Sequence, residues 1–189
     1  MTTANKITVL RILLIPIMII VVAIPQLRIE TNFFGLYLDR LIFAAIFIFA
    51  AGTDFVDGYI ARKYNQITTF GKFLDPIADK ILVFTALLYL MTIDSSRVPL
   101  WTVVLILVRE FAVTGIRLLA VEKQAVIAAS FWGKLKTMTT MIAIIVLLFN
   151  DFNLPHIIGD ILYYSAVAIT LISGIDYFIK NRKVVLESL

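Results

Sequence analysis

The sequence predicts an all-α integral membrane protein of six transmembrane helices, on three observations. Of its 189 residues 61% are hydrophobic and only 16% charged, and the mean hydropathy is +0.97. A water-soluble domain of that length keeps too many residues in contact with solvent to hide so much apolar surface. The apolar residues also gather in six stretches, each close to the roughly 20 residues needed to cross a bilayer. Finally, those stretches are continuous rather than alternating and are about twice as long as a barrel strand, which excludes a transmembrane barrel. Together they consume most of the chain, so a single membrane domain over 1–189 is expected, with no room for a separate soluble one.

The first stretch, 7–24, has a basic start but is interrupted by Arg11 and is followed by no small-residue cleavage site. It therefore reads as a membrane segment rather than a signal peptide, and residues 6–11 can begin it as a short N-terminal interfacial helix. Pro25 breaks the pattern, and the second and third stretches cover 36–61 and 74–93. The turn Asp94-Ser95-Ser96-Arg97 ahead of Pro99 leads to the fourth, 98–120. The fifth covers 131–149, and Asn150-Asp151 ahead of Pro155 separates it from the sixth, 157–179. Pro and Asn/Asp/Ser clusters are the residues that end apolar runs.

Cations set the expected orientation, because cytoplasmic loops retain an excess of Lys and Arg. Lys6, Arg11, Arg62, Lys63, Lys72, Lys80, Arg117, Lys123, Lys134, Lys136, Lys180, Arg182 and Lys183 fall on one side, and only Arg28, Arg40 and Arg97 on the other. Both termini and the 62–73 and 118–132 connections are thus expected on the cytoplasmic face of the inner membrane. The net charge of +4 is mainly this topology signal, compatible with attraction of anionic lipid or a phosphorylated ligand. No nucleic-acid partner is expected. With no cysteine and a single histidine, His156, disulfides, thiolate chemistry and a histidine zinc cluster are excluded. Any catalysis must rest on carboxylates, hydroxyls or cations.

The informative acids lie at the ends of the second and third stretches. Asp54 and Asp57 are spaced i,i+3 and Asp75 and Asp79 i,i+4, so each pair projects from one helix face. The two ends share one boundary, where four carboxylates can converge on one point. Such a group repels itself at low dielectric, and each member costs a few kcal/mol to bury in a membrane helix. It calls for cations. Hard oxygen ligands without His or Cys suit Mg2+, Mn2+ or Ca2+, and a shared carboxylate can bridge two ions about 4 Å apart. A single Asp of this kind would read as a solvated helix cap; the convergence of both pairs points to a metal centre. Gly58 suits either the close approach of a phosphate-bearing ligand or helix packing. Arg62 can present a planar fork to phosphate or anchor the helix at the interface. Ala61 and Gly71 are small, fit for close packing or a tight turn.

A second polar group lies in the fourth and fifth stretches. Arg109 sits about 16 Å along the helix axis from a span end near Ala120, so it faces a polar cavity or pairs with Glu110 or another acid. Arg117 lies two turns on and Lys134 at the matching depth of the next helix; with Arg109 they can line a pocket for a phosphorylated ligand. Each alone would snorkel to the interface.

The string Asp-x2-Asp-Gly-x2-Ala-Arg-x8-Gly-x3-Asp-x3-Asp, from Asp54 to Asp79, resembles the signature of the CDP-alcohol phosphotransferase family of integral membrane enzymes. The resemblance implies that a second alcohol attacks a CDP-linked lipid or alcohol, forming a phosphodiester and releasing CMP. It further implies that Asp54, Asp57, Asp75 and Asp79 hold two Mg2+ or Mn2+ ions, with Asp79 also the general base, and that Asp57, Gly58, Ala61, Arg62 and Gly71 bind the cytidine diphosphate. Arg-Glu-x3-Thr-Gly-x-Arg from Arg109, Gly-Lys-x-Lys-Thr from Gly133 and the opening Asn5-Lys6-Ile7-Thr8-Val9-Leu10-Arg11 are similar to the branch that joins CDP-diacylglycerol to sn-glycerol 3-phosphate in phospholipid biosynthesis. That narrower resemblance implies Thr8, Arg11, Arg109, Arg117 and Lys134 at the acceptor phosphate, membrane lipids as surroundings, and a homodimer. Thr3-Ala4 stands where the family often carries Leu-Pro, and Thr140 where many of the branch carry Gln.

Three other readings compete. A family member using serine, an inositol phosphate or phosphatidylglycerol would, for an uncharged acceptor, not need the Arg109, Arg117 and Lys134 pocket. An intramembrane prenyltransferase also sets two Asp-rich motifs on diphosphates, but far apart in sequence. A divalent-cation transporter predicts acids near the bilayer midplane on repeated, broken helices, whereas these acids share one boundary and no repeat is visible.

Overall fold

A computed structural model describes residues 3–63, 69–122 and 131–182, with side chains over 5–53, 71, 74–120 and 131–182. Six helices follow one another among them: α1 (Thr3–Ala23), α2 (Leu38–Lys63), α3 (Thr69–Ile93), α4 (Leu100–Glu122), α5 (Phe131–Leu148) and α6 (Ile157–Lys180). The extended pairing among the described residues is one isolated antiparallel bridge between Glu30 and Tyr37. Each apolar stretch of the sequence is therefore a helix, the form in which a segment satisfies its own backbone groups away from water. Four helical segments, Asn5–Ala23, Leu74–Ile93, Phe131–Leu148 and Ile157–Lys180, are long and apolar enough to cross a membrane by length and composition. Of the other two helices, α4 carries Arg109, Glu110 and Arg117, and the described side chains of α2 stop at Thr53. The short interfacial helix expected over 6–11 does not form as a separate element. Helix α1 runs unbroken from Thr3 to Ala23, because nothing between Lys6 and Arg11 removes a backbone donor and its proline, Pro16, comes later.

The chain divides into two compact units, Met1–Leu90 with Ile145–Leu154, and Met91–Ile144 with Pro155–Leu189. In the first, α1 packs on α2. Its buried residues Asn5, Thr8, Arg11, Ile15, Met18 and Val21 recur every three or four positions, the period of one helix face. Leu10, Leu13, Ile17 and Ile20 are exposed, apolar surface of the kind a bilayer covers. Helix α2 buries Phe43, Ala44, Phe47 and Ala50, with alanines where close helix approach favours small residues. Phe43 lies over Tyr89 of α3 with ring centroids 4.2 Å apart.

The end of α5 belongs to the same unit. Arg40 donates from Nε to the Leu148 carbonyl at 2.8 Å and from Nη2 to the Leu147 carbonyl at 2.6 Å. These carbonyls are among those a helix C-terminus leaves without intrahelical partners, and the cation sits at the negative end of the helix dipole. Arg40→Ala should lower stability by about 1.5–3 kcal/mol, read by equilibrium unfolding of the detergent-solubilised protein. Beyond α5 the chain takes positive φ at Asn150, Asp151, Phe152 and Asn153. Asn and Asp tolerate that region; Phe152 is held there with its ring stacked on Phe149 at 5.2 Å.

In the second unit α4 packs on α6. The turn before α4 is fixed by Asp94, whose Oδ1 accepts from Ser96 Oγ at 2.5 Å and from the amides of Ser96 and Arg97 at 3.0 and 3.2 Å. The Ser96 hydroxyl above all holds the Asp94 carboxyl below the usual carboxylate range. Arg97 then donates from Nε to Asp160 Oδ1 at 2.6 Å and from Nη2 to the His156 carbonyl at 2.9 Å, tying this turn to the start of α6. Deeper in, Thr102 Oγ1 and Tyr163 OH share a buried hydrogen bond of 2.6 Å.

Candidate active site

Gly71, Asp75 and Asp79 fall at successive i,i+4 positions of α3 and so form one stripe. Gly71 is buried, and Asp75 and Asp79 are half-buried. Thr8 of α1, 2% exposed, donates its hydroxyl to Asp75 Oδ1 at 2.6 Å. One turn along α1, Arg11 is 1% exposed and donates from Nε to the carbonyl of Ala50 on α2 at 3.2 Å. The hydroxyl of Thr53 donates to the same carbonyl at 2.6 Å. A charge buried this deeply is sustained only by partners. Thr8 and Arg11 thus connect α1 to the two helices that carry the acidic motif, Thr8 to α3 and Arg11 to α2. The family resemblance implies both residues at an acceptor phosphate; their partners on α2 and α3 lie too far along the chain for sequence spacing to reveal them.

Asp54, Asp57, Gly58, Ala61 and Arg62 lie on α2, whose backbone is helical through Lys63, but their side chains lie outside the described residues. Among the described residues no three acidic or histidine side chains form a metal-sized group, since only Asp75 and Asp79 of the four expected ligands are included. The donor chemistry of those two fits a hard divalent ion: both are oxygen ligands, one turn apart, and Asp75 is oriented by a hydroxyl that leaves lone pairs unused.

The second unit contains a separate charged network. Arg109 donates from Nη1 to Glu110 Oε1 at 2.7 Å and from Nη2 to Ser173 Oγ at 2.5 Å. Lys136 Nζ reaches the same Glu110 oxygen at 2.7 Å. Arg109 is thus half-buried and internally paired, whereas Arg117 and Lys134 are exposed. The cation that joins Arg109 is Lys136, which the sequence offers as a topology marker and as the second lysine of the Gly133 string but not as an acceptor contact. Two positions apart on α5, Lys134 and Lys136 point about 200° apart, so only one can face α4, and spacing alone does not say which. Ser173 carries no signal in the sequence. Thr140, which stands where Gln is common, has a buried hydroxyl without a hydrogen-bond partner among the described residues.

Over residues 1–172 the chain matches the family model described as CDP-alcohol phosphatidyltransferase. It is 45% identical over 184 residues to the CDP-diacylglycerol–glycerol-3-phosphate 3-phosphatidyltransferase of Bacillus subtilis (strain 168), covering 94% of this chain and 93% of that one. The proteins of the same name from Rickettsia bellii (strain RML369-C) and Haemophilus influenzae are also similar. The first is 37% identical, over 95% of this chain and 94% of the relative; the second is 36% identical, over 90% and 88%.

Proposed function

Because the chain belongs to the CDP-alcohol phosphatidyltransferase family, we propose that it transfers the phosphatidyl group of CDP-diacylglycerol to sn-glycerol 3-phosphate, giving phosphatidylglycerophosphate and CMP. The observation that carries this reading is the α3 pair, Asp75 and Asp79, one turn apart with Asp75 held by Thr8. The names of the relatives support the choice of donor and acceptor. The family match also outweighs the transporter and prenyltransferase readings.

In the proposed reaction a hydroxyl oxygen of the acceptor forms a bond to the phosphatidyl phosphorus, and the bond from that phosphorus to the CMP oxygen breaks. Asp79 accepts the proton of the attacking hydroxyl, general-base catalysis of ordinary type. Asp54, Asp57, Asp75 and Asp79 would hold two divalent ions, Mg2+ or Mn2+, which when bound neutralise charge on the diphosphate and the leaving CMP. Arg62 contacts the diphosphate, while Gly58, Ala61 and Gly71 leave room for the nucleotide beside Asp57. Arg109, Arg117 and Lys134 are assigned to the acceptor phosphate; for Thr8 and Arg11 that assignment comes from the family resemblance alone. The protein's share of catalysis is then positioning and electrostatic stabilisation. The proposal includes six membrane spans in a single domain, cytoplasmic termini and active site, and a homodimer.

The test incubates purified protein, Mg2+ or Mn2+ and CDP-diacylglycerol with candidate acceptors and follows CMP. Release is expected with glycerol 3-phosphate and little with serine or inositol phosphate; preference for either of the latter would replace the acceptor assignment. Thr8→Val, which removes the donor to Asp75 while keeping the side chain's volume, should lower turnover about tenfold, the scale of losing a group that orients a ligand. Thr8→Ser should restore most of it in the same assay.

A further inference from the structure

We propose that the last helix sets acceptor recognition: Ser173 and Gly174 on α6, opposed by Glu110 on α4, are positioning residues for the guanidinium of Arg109. This rests on the reading of Arg109 as a contact of the acceptor phosphate. Both α6 residues fall beyond the 1–172 stretch that matches the family model.

The steric part comes from Gly174. A Cβ there would lie 2.9 Å from Arg109 Cγ, and 3.6 and 3.8 Å from its Nε and Cδ. The arginine shaft therefore runs across α6 at the point where the helix has no side chain. At Gly35, Gly52 and Gly115 an added Cβ would meet nothing within 4 Å, so among these glycines the crowding is specific to Gly174. Hydrogen bonds then fix the head group. Ser173 Oγ holds Nη2 and Glu110 Oε1 holds Nη1, so two helices set the plane of the guanidinium from opposite ends.

What is left over is anion-binding capacity. A guanidinium has five N–H donors, and Nε is buried with no hydrogen-bond partner among the described residues. Lys136 shares the Glu110 carboxylate, so among the described residues two cations face one anion, at side-chain exposures of 9% for Arg109, 14% for Lys136 and 12% for Glu110. The network keeps one net positive charge where a lone charge is costly. A phosphate-bearing acceptor supplies the missing negative charge and accepts from the unspent donors, and a rigid fork recognises it with more specificity than a mobile one.

The experiment measures steady-state kinetics of the full-length protein with both substrates varied, for Ser173→Ala, Ser173→Thr, Gly174→Ala and Arg109→Lys. Ser173→Ala and Gly174→Ala should each raise the KM for glycerol 3-phosphate roughly tenfold, the scale of a small misplacement of a binding group. The KM for CDP-diacylglycerol should stay within about twofold, because a positioning effect on one group leaves the other substrate's binding alone. Ser173→Thr, which restores the hydroxyl, should recover most of the acceptor affinity. Inhibition by inorganic phosphate against glycerol 3-phosphate should weaken in parallel with the KM change. If both KM values rise together, or the acceptor KM does not move in Ser173→Ala and Gly174→Ala while Arg109→Lys raises it, the positioning role is overturned. If Arg109→Lys itself leaves the acceptor KM unchanged, the assignment of Arg109 to the acceptor falls instead. Should Gly174→Ala fail to fold, Ser173→Ala, which deletes one oxygen, decides.

Discussion

Asp79→Asn should reduce CMP release by a factor on the order of 10²–10⁴ with little change in the KM for CDP-diacylglycerol. The amide keeps the size of the carboxyl group but can neither accept the proton of the attacking hydroxyl nor contribute a negative charge to bound cations. Asp75→Asn is the comparison that separates these two losses. It lies one turn away on the same stripe of α3 and keeps Thr8 as its donor, but in the proposed mechanism it takes no proton. Raising the Mg2+ or Mn2+ concentration should therefore recover part of the Asp75→Asn defect and leave that of Asp79→Asn largely in place. Equal rescue of both variants would remove the proton-accepting role from Asp79 and leave it a ligand only.

The same two residues show what a sequence can reveal about this molecule. Their i,i+4 spacing is local, and a continuous apolar run is a helix in a low-dielectric setting, so the pair's shared face is legible in the sequence. The six helices were readable for the same reason, because unbroken apolar runs bounded by Pro25, Pro99 and Pro155 leave few alternatives. What lay beyond reach depends on contacts distant in the chain. Thr8 finds Asp75 across 67 positions and Arg40 finds the end of α5 across more than 100, and no periodicity encodes either pairing. The choice of Lys136 over Lys134 is a matter of helix phase against α4, set by packing. Gly174 shows the limit most clearly. In an apolar span a glycine reads as an ordinary small packing residue, and only the path of the Arg109 side chain gives it a specific purpose.

Removing divalent ions should bring CMP release to background, and adding back Mg2+ or Mn2+ should restore it, whereas a chelator selective for zinc should leave activity unchanged. The expectation follows from donor chemistry. Asp54, Asp57, Asp75 and Asp79 offer only oxygen, and the chain has no cysteine and only His156, so the softer ligands that favour zinc are absent. The effect should be large because the diphosphate and the carboxylates are all anionic, and at an effective dielectric near 20 two unit charges about 4 Å apart repel by about 4 kcal/mol. Without cations the donor's diphosphate would be held away from the residues meant to act on it. Asp57→Asn and Asp75→Asn should each raise the metal concentration needed for half-maximal activity by about 10–100-fold, measured by titrating metal into chelator-treated protein. An unchanged metal requirement in both variants would place the ions elsewhere and return the four aspartates to the role of helix-end charges.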